Sequence, residues 1–497
     1  MNKKKIYLAL ILIAGFIITA TPAFLFKHPV VQTDGATHFV NARIFAETGS
    51  LNSEIPKYNW IGIAERKLSE YPPLNTILLG FFIKIFGNDM VWLNGLYAAV
   101  FLVIGNYFIY LFTRELTENE NIALLVTLFS LLNVRAYYTI FSGILPAFVS
   151  YCLSFGALYF ALKYFRNQKT KDLLFSIILN AAVWFTYLQQ GLFLLAMEAA
   201  LFAGVLMSRK IKLSIPQIKC DFEKFKVKDF KPFFYLIVPS FLIAVLVAVK
   251  YMFAAKARTG IITELIYSFL SATSGYQKIW ETIIIMDEPI MVTFAFIGIL
   301  YLLYKQYWKP FSLIAVGSII VLINTIIIPE NLWVKIYFNR FYLMFFIIMA
   351  ISASIMLYNF SKNKNIGKVV SAIIIISLLL QAGKLAVFYY KIGPALDSEE
   401  YASAMFLNER RNSSILYIQN EDVSASFRDF KWIVVYAETN NYDFVPVNYL
   451  GKLENPEGYD YVYIYNKNFL KQEDKNALKK LNIAFEGKHV EIYEVTK

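Results

Sequence analysis

Long apolar runs separated by short polar segments dominate the chain from residue 6 to residue 388. Each run is long enough, or nearly so, to cross the ~30 Å hydrocarbon layer of a bilayer as a helix. Eleven runs are predicted to span: 6–26, 91–113, 121–135, 142–162, 172–188, 190–207, 233–252, 290–304, 311–328, 341–358 and 367–388. The pattern therefore predicts a polytopic α-helical membrane protein.

One apolar segment, 74–87, is short and contains Lys84, so it fits an interfacial or re-entrant helix better than a span. If it does not cross, the basic loops fall on the same side as Lys3–Lys5. Those loops are 114–120, 163–171, 208–232, 305–310 and 359–366. Since basic loops mark the cytoplasmic side, we expect a multi-pass protein of the cell membrane with a cytoplasmic N-terminus. Cleavage of the first span as a signal peptide is a less favoured alternative.

Composition supports this prediction. Hydrophobic residues make up 58% of the 497 positions and charged residues 17%, which excludes a disordered chain and disfavours a soluble enzyme. The net charge of +12 lies in the membrane part, because the segment after residue 391 has 12 Lys or Arg against 17 Asp or Glu. We therefore expect membrane lipid, and no nucleic acid, as a partner of the basic loops. The two cysteines form no recognisable metal or disulfide pattern.

The last hundred residues have the composition of a soluble domain. Segments 414–419, 432–437, 459–465 and 490–495 are predicted strands, and 398–411 and 471–481 are predicted helices. Two domains are thus expected: a transmembrane domain, 1–390, and a small extracytoplasmic α/β domain, 391–497.

Polar residues gather in the first outer loop, 27–90, which begins with the sequence QTDGATHFVNARIFAETG. Residues 36–48 are predicted to form an amphipathic helix that ends at Gly49. Asp34 stands at its start, where it is either a helix cap or a functional carboxylate. His38, one turn later, is either an interfacial histidine or a partner of Asp34, of a metal or of a phosphate.

Further along the loop, Glu70-Tyr71-Pro72-Pro73-Leu74 opens the short apolar helix that finishes at Phe86-Gly87. A purely structural role for the two prolines is to start that helix.

Taken together, this loop resembles that of the GT-C membrane glycosyltransferases, which include protein O-mannosyltransferases, the aminoarabinose transferase of lipid A and oligosaccharyltransferases. The resemblance lies in an acidic residue after the first span, a D-x-x-x-H helix ending in E-x-G, a P-P-L element and a helix ending in Phe-Gly. It is specific over residues 1–115, and it implies a catalytic role for Asp34. Gly35 stands where many mannosyltransferase-like members have a second acidic residue, and the tail lacks the W-W-D-Y-G motif of oligosaccharyltransferases.

The resemblance implies transfer of a sugar, with inversion, from a polyprenyl-phosphate donor to a hydroxyl of a glycan, lipid or protein acceptor on the outer face. Asp34 would be the general base. Residues expected to bind the substrates are His38, Glu70, Tyr71, Lys335, Arg340 and Arg258. The last three, with Lys256 as a further candidate, are cations expected to face the leaving phosphate. No metal ligands are identified, and a divalent metal ion stays open as a cofactor.

Two other classes of function are retained as alternatives. Glu198 lies near the middle of an apolar run, where an ionisable side chain is costly unless it is paired or faces a cavity. A transporter or lipid-linked sugar flippase would use such a residue for coupling. A non-catalytic membrane scaffold that presents the tail domain is the third reading.

Overall fold

The computed structural model describes most of the chain. The described residues are 3–26, 33–55, 67–70, 72–87, 92–214, 219–222, 226–254, 289–327, 332–392, 398–410, 413–420, 444–449, 458–465, 468 and 470–495. The chain forms two compact units, which are described separately. The first comprises residues 1–20, 98–140 and 146–392, and the second comprises 21–97, 141–145 and 393–497.

Helices account for nearly all of the described residues up to residue 391. They are α1 (Lys3–Phe26), α2 (Thr33–Thr48), α3 (Leu74–Phe86), α4 (Leu93–Thr117), α5 (Glu120–Leu131), α6 (Val134–Phe141), α7 (Leu145–Asn167), α8 (Thr170–Thr186), α9 (Leu188–Lys210), α10 (Lys231–Ala254), α11 (Pro289–Tyr304), α12 (Trp308–Ile327), α13 (Leu332–Ser361) and α14 (Gly367–Lys391). Among the described residues, seven helices are long and apolar enough to cross a membrane, or eight with the bent pair α5–α6. The predicted fold class, a multi-pass helical membrane protein, is confirmed, while the count of eleven spans stays a prediction.

The helix ends next to the predicted basic loops contact one another through polar side chains. Lys4 at the start of α1 pairs with Glu120 of α5 at 3.2 Å. Arg166 at the end of α7 pairs with Glu115 of α4 at 2.9 Å and also with Glu118. The remaining contacts are Lys309 Nζ to Glu118 Oε1 at 3.7 Å, Asn121 Nδ2 to Tyr358 OH at 2.8 Å, and Arg209 Nη2 to the Phe165 carbonyl at 3.0 Å. These helix ends therefore lie together at one end of the helix bundle, which agrees with the charge pattern.

The opposite ends of α1 and α4 also meet. The Phe24 and Trp92 rings lie 5.0 Å apart, and a Cβ atom added to Gly95 would come within 2.8 Å of the Ala23 methyl group. Since α1 and α4 run antiparallel, the segment between them leaves and re-enters the bundle on the same face. α3 has only 13 residues, which at 1.5 Å per residue is about 20 Å and too short to span. The interpretation of 74–87 as a helix that does not cross the membrane agrees with this geometry.

The predicted span 121–135 is bent. The helix stops at Leu131, and α6 leaves at an angle of 42°. Asn133 in the break accepts a hydrogen bond from the Arg135 N–H at 3.0 Å, which caps the start of α6. A polar capping residue inside an apolar run therefore divides one predicted helix into two.

The C-terminal segment contains a five-stranded sheet with two helices, as predicted for an α/β domain. Its strands, numbered after the short hairpin β1 (Ile211–Ser214) and β2 (Lys219–Phe222) of the basic loop, are β3 (Ile415–Asn420), β4 (Phe444–Tyr449), β5 (Tyr461–Tyr465), β6 (Asn482–Glu486) and β7 (Val490–Glu494), in the order β4-β3-β5-β7-β6. β3 is parallel to β4 and β5, and β7 is antiparallel to β5 and β6. The helices are α15 (Ser398–Asn408) and α16 (Gln472–Leu478). Both edge strands were missed in the prediction, and predicted strand 432–437 lies outside the described residues.

Glu399 joins α15 to the β6–β7 turn of this domain. Its Oε1 accepts hydrogen bonds from the backbone N–H groups of His489 at 2.6 Å and Val490 at 2.5 Å. Desolvation alone would raise the pKa of Glu399, but these N–H donors outweigh it and lower the pKa below its usual value. The carboxylate therefore contributes stability above the unfolded-state pKa, and that stability is lost as the pH falls through the lower, folded-state pKa.

We expect Glu399→Gln to weaken this part of the domain at pH 7 by about 1 kcal/mol, since a bond to a charged acceptor is replaced by one to a neutral amide. The difference from wild type should disappear as the pH falls through the lowered pKa of Glu399, because the carboxyl group is itself neutral below that pKa. Hydrogen exchange of the β6–β7 amides, compared between the two proteins at each pH, measures this. Glu494→Gln, an exposed glutamate on β7, is the control and should behave as wild type at every pH. An effect of Glu399→Gln that does not change with pH would contradict the assignment.

Candidate functional site in the first loop

α2 carries Asp34 in its first turn. The helix begins at Thr33, earlier than predicted, so Asp34 lies within the first turn rather than at the cap position. Its side chain is exposed, while every residue from Gly35 to Ala42 is buried. An acidic group in the first turn is favoured by the positive end of the helix dipole. The structure thus presents the exposed Asp34 carboxylate at the end of a buried half-helix.

The buried part of α2 is polar as well as apolar, so the prediction of an amphipathic helix is wrong. Thr37, His38 and Asn41 are at most 6% exposed, alongside fully buried Phe39 and Ala42. A helix buried on all sides shows no apolar stripe, which explains why periodicity misjudged it. His38 lies one turn after Asp34 but inside the protein. The imidazole is therefore buried, whereas the Asp34 carboxylate is exposed.

α2 ends at Gly49, as predicted, with φ +66°, and the Gly49 N–H donates to the Phe45 carbonyl at 2.8 Å. The chain then turns back towards α3: Glu54 and Lys67 form an isolated antiparallel bridge, and the Leu68 N–H donates to the Ser53 carbonyl at 3.0 Å. Residues 68–70 form one turn of 3₁₀-helix before the prolines. Both predicted parts of the loop are thus joined by backbone contacts.

α3 packs closely against α2 because Gly80 has no side chain. A Cβ atom at Gly80 would lie 2.8 Å from the Phe45 ring and 3.0 Å from the Ala42 carbonyl oxygen. A ring can turn away, but a helix carbonyl cannot move without shifting α2 itself. The position of α2, and with it Asp34, therefore depends on this glycine.

Gly80→Ala should destabilise the protein by about 1–3 kcal/mol, because overpacking a tight contact forces the backbone to shift. Gly383→Ala is the matched control: it is also a helical glycine, but a Cβ atom there has nothing within 4 Å. That substitution should stabilise α14 by up to ~1 kcal/mol. Thermal unfolding of both variants in detergent tests the pair, and equal effects at the two positions would show that the α2–α3 contact is looser than described.

A buried polar group at the start of α4 was missed by the sequence interpretation, which treated these residues as part of a span. The Asn94 amide donates to the Gly35 carbonyl at 3.0 Å. The Tyr97 hydroxyl donates to Asn75 Oδ1 of α3 at 3.1 Å. Asn75, Asn94 and Tyr97 are each at most 1% exposed. The sequence does contain a signal for this group: Asn75 and Asn94 each stand near the start of an apolar run, and Asn75 follows directly after the proline element.

The remaining predicted site residues are described less fully. Glu70 ends the 3₁₀ turn, and Lys335 and Arg340 lie on α13, with their backbones described but not their side chains. The predicted span 341–358 would put Arg340 just before the start of a helix. Because α13 begins at Leu332, Arg340 instead lies about 12 Å along it. Tyr71 and Arg258 lie outside the described residues, as does Lys256. Within the described part of the chain, no three His, Cys, Asp or Glu side chains gather in a way that would hold a metal ion.

Glu198, the basis of the transporter alternative, is fully buried on α9. The Asn180 amide of α8 donates to its Oε1 at 2.7 Å and to the Ser176 carbonyl, one turn earlier, at 3.0 Å. The Ser176 hydroxyl donates in turn to the Ala157 carbonyl of α7 at 3.1 Å. Glu198 thus takes part in a polar network that joins α7, α8 and α9.

Known structures share this architecture. ArnT from Cupriavidus metallidurans in the apo state matches with a TM-score of 0.59 at 9% identity, over 98% of this chain and 97% of that one. The Archaeoglobus fulgidus oligosaccharyltransferase in the apo form matches with a TM-score of 0.54 at 11% identity, over 94% and 70%. AglB from the same organism, in complex with an inhibitory peptide and a dolichol-phosphate, matches with 0.56 at 11%, over 94% and 70%. No curated protein sequence matches the chain.

The chain therefore has the fold of the GT-C membrane glycosyltransferases, as the sequence resemblance implied. The family model of dolichyl-phosphate-mannose-protein mannosyltransferases matches residues 70–220. The matched segment begins at Glu70 and includes α3, so it contains part of the loop that carries the resemblance.

Proposed function

We propose that this protein transfers a sugar from a polyprenyl-phosphate donor to an acceptor hydroxyl at the outer face of the membrane, with Asp34 as general base. The observation that carries the proposal is the exposed Asp34 carboxylate at the start of a buried helix, directly after the first span of a GT-C fold. The match to dolichyl-phosphate-mannose-protein mannosyltransferases and the dolichol-phosphate complex of AglB support a lipid-linked donor.

The reaction needs one proton acceptor and one group of cations. As the acceptor oxygen bonds to the anomeric carbon, its proton passes to the Asp34 carboxylate, and the bond from that carbon to the phosphate oxygen breaks with its electron pair. Attack opposite the leaving group inverts the anomeric centre. The phosphate gains negative charge in the transition state, and we assign its stabilisation to Lys335, Arg340 and Arg258.

The remaining predicted contacts complete the proposal. We assign Glu70 and Tyr71 to the substrate, because they directly precede α3, and His38 to the support of Asp34. No step passes through a metal ion. The acceptor is a hydroxyl of a glycan, a lipid or a protein. A structure of the Archaeoglobus fulgidus oligosaccharyltransferase contains a tethered acceptor peptide with the NVT sequon, so a protein of this fold can hold a polypeptide acceptor.

The distribution of basic residues supports the proposed orientation, in which the first loop faces outward. The membrane face that holds the start of α1 also carries Lys4, Arg166, Arg209 and Lys309, and basic residues favour the cytoplasmic side. The first loop leaves from the other ends of α1 and α4, so it would face outward. We place the C-terminal domain on the outer side as well, since α14 starts at the basic face and crosses once more before it.

The test is a donor screen with the full protein in lipid vesicles, using radiolabelled polyprenyl-phosphate sugars and a membrane extract as acceptor. The proposal expects free polyprenyl phosphate from one donor, with the label moving to an acceptor. Movement of an intact donor across the vesicle membrane without release would instead support the flippase. A protein that neither consumes nor moves any donor while the extract is present would contradict both functions.

A further inference from the structure

The start of α4 is fixed against the end of the first span. Gly95 lies against the Ala23 methyl group so closely that a Cβ atom would come within 2.8 Å of it, and the Trp92 ring packs on Phe24 at 5.0 Å. These contacts use the backbone and an aromatic pair, so they leave little room for α4 to slide or rotate at this end. The first turn of α4 therefore has a fixed position, and groups that bind to its side chains are held in place.

Two side chains on this turn each hold the start of another helix. Asn94 and Tyr97 are three residues apart and so lie on the same face of α4. Asn94 donates to the carbonyl of Gly35, the residue after Asp34, and Tyr97 donates to Asn75 in the first turn of α3. One face of α4 thus sets the positions of both helix starts in the first loop.

These polar residues are costly where they stand. In a regular helix the Gly35 carbonyl already accepts from the N–H group four residues later, so it does not need Asn94. Within the described residues, Asn94 Oδ1 and Asn75 Nδ2 have no hydrogen-bond partner, and both atoms are buried. Leaving such atoms unpaired costs about 1–3 kcal/mol each, more than one added hydrogen bond typically returns. Apolar side chains at positions 94 and 75 would make the protein more stable. We therefore infer that these asparagines serve to position the helix starts.

We propose that Asn94 is a positioning residue for Asp34: through the Gly35 carbonyl it fixes the first turn of α2, and Tyr97 does the same for α3, so that the Asp34 carboxylate meets the acceptor hydroxyl at the required distance. This inference rests on the proposed function. Misplacement by about 1 Å can cost up to ~100-fold in rate, so a single amide that fixes a helix start has a measurable kinetic effect.

The test compares Asn94→Leu, which keeps the size of the side chain and removes the bond, with Asn106→Leu. Asn106 is a buried asparagine on the same helix whose side-chain atoms have no hydrogen-bond partner among the described residues. Asn94→Leu should lower kcat about 10-fold, with the KM for the donor unchanged, and Asn106→Leu should leave both constants as in wild type. Tyr97→Phe, which loses only a hydroxyl group, is the second variant, with a smaller drop in kcat.

A double-mutant comparison separates positioning from folding. If Asn94 acts through Asp34, then adding Asn94→Leu or Tyr97→Phe to Asp34→Asn should cause no further loss. An equal further loss in that background, or a wild-type kcat in both single variants, would overturn the inference. Should Asn94→Leu not fold, Tyr97→Phe alone decides it. An Asp34→Asn protein as active as wild type would instead overturn the proposed function, whatever Asn94 does.

Discussion

Asp34→Asn should reduce the release of polyprenyl phosphate by at least ~100-fold, because the amide keeps the shape of the side chain but cannot take the acceptor proton. Since Asp34 is exposed at the start of a helix whose next eight residues are buried, the substitution should leave the packing of α2 unchanged. The donor KM should change little, since a base acts on the acceptor in the transition state. Initial rates at saturating donor, with the unfolding temperature of each protein, measure the effect.

Glu47→Gln provides the matched control. Glu47 is an exposed carboxylate on the same helix, near its other end, where it pairs with Arg43 at 3.9 Å. A surface pair of this kind contributes little, so the variant should be as active and as stable as wild type. If Asp34→Asn and Glu47→Gln had the same activity, Asp34 would be no more than a favourable charge at a helix start.

Glu198→Ala should destabilise the protein by about 3 kcal/mol, since it leaves the Asn180 amide buried without its acceptor and opens a cavity between α8 and α9. Glu198→Gln should lie within ~1 kcal/mol of wild type, because a glutamine carbonyl accepts the same bond. Its sugar-transfer rate should also match wild type. Thermal unfolding in detergent and the release assay give the two measurements.

The comparison of Glu198→Ala with Glu198→Gln distinguishes an enzyme from a transporter. Ion coupling requires a group that gains and loses a charge, which glutamine cannot do. A folded Glu198→Gln protein that loses all activity would therefore favour transport, whereas loss confined to Glu198→Ala identifies Glu198 as a structural contact between helices.

The multi-pass helical fold and the clustering of the basic loops at one end of the helix bundle were predictable, because the cost of burying polar groups in hydrocarbon leaves a long apolar signal and loop charge follows topology. The edge strands of the C-terminal sheet were not. β4 contains Pro446, which lacks a backbone donor and is typical of an edge strand, and β6 is short and mostly exposed. Both lack the alternating pattern that marks a half-buried strand.

In the first loop, sequence gave the positions of Asp34, Gly49 and the proline-led helix, since turn and cap residues act locally. It could not give the burial of Thr37, His38 and Asn41, which results from the packing of other helices around α2. The bonds from Asn94 and Tyr97 join residues 59 and 22 positions apart, and no local pattern specifies such pairs. The part of the site that depends on tertiary contact was therefore visible only in the structure.

The contact between Ala23 and Gly95 has an evolutionary consequence. These residues lie near the two ends of the first loop, so the contact holds the ends of the loop together. Doubling the length of such a closed loop costs only about 0.6 kcal/mol in chain entropy. Insertions between α2 and α3 can therefore accumulate, while the helices that anchor the loop keep the same packing.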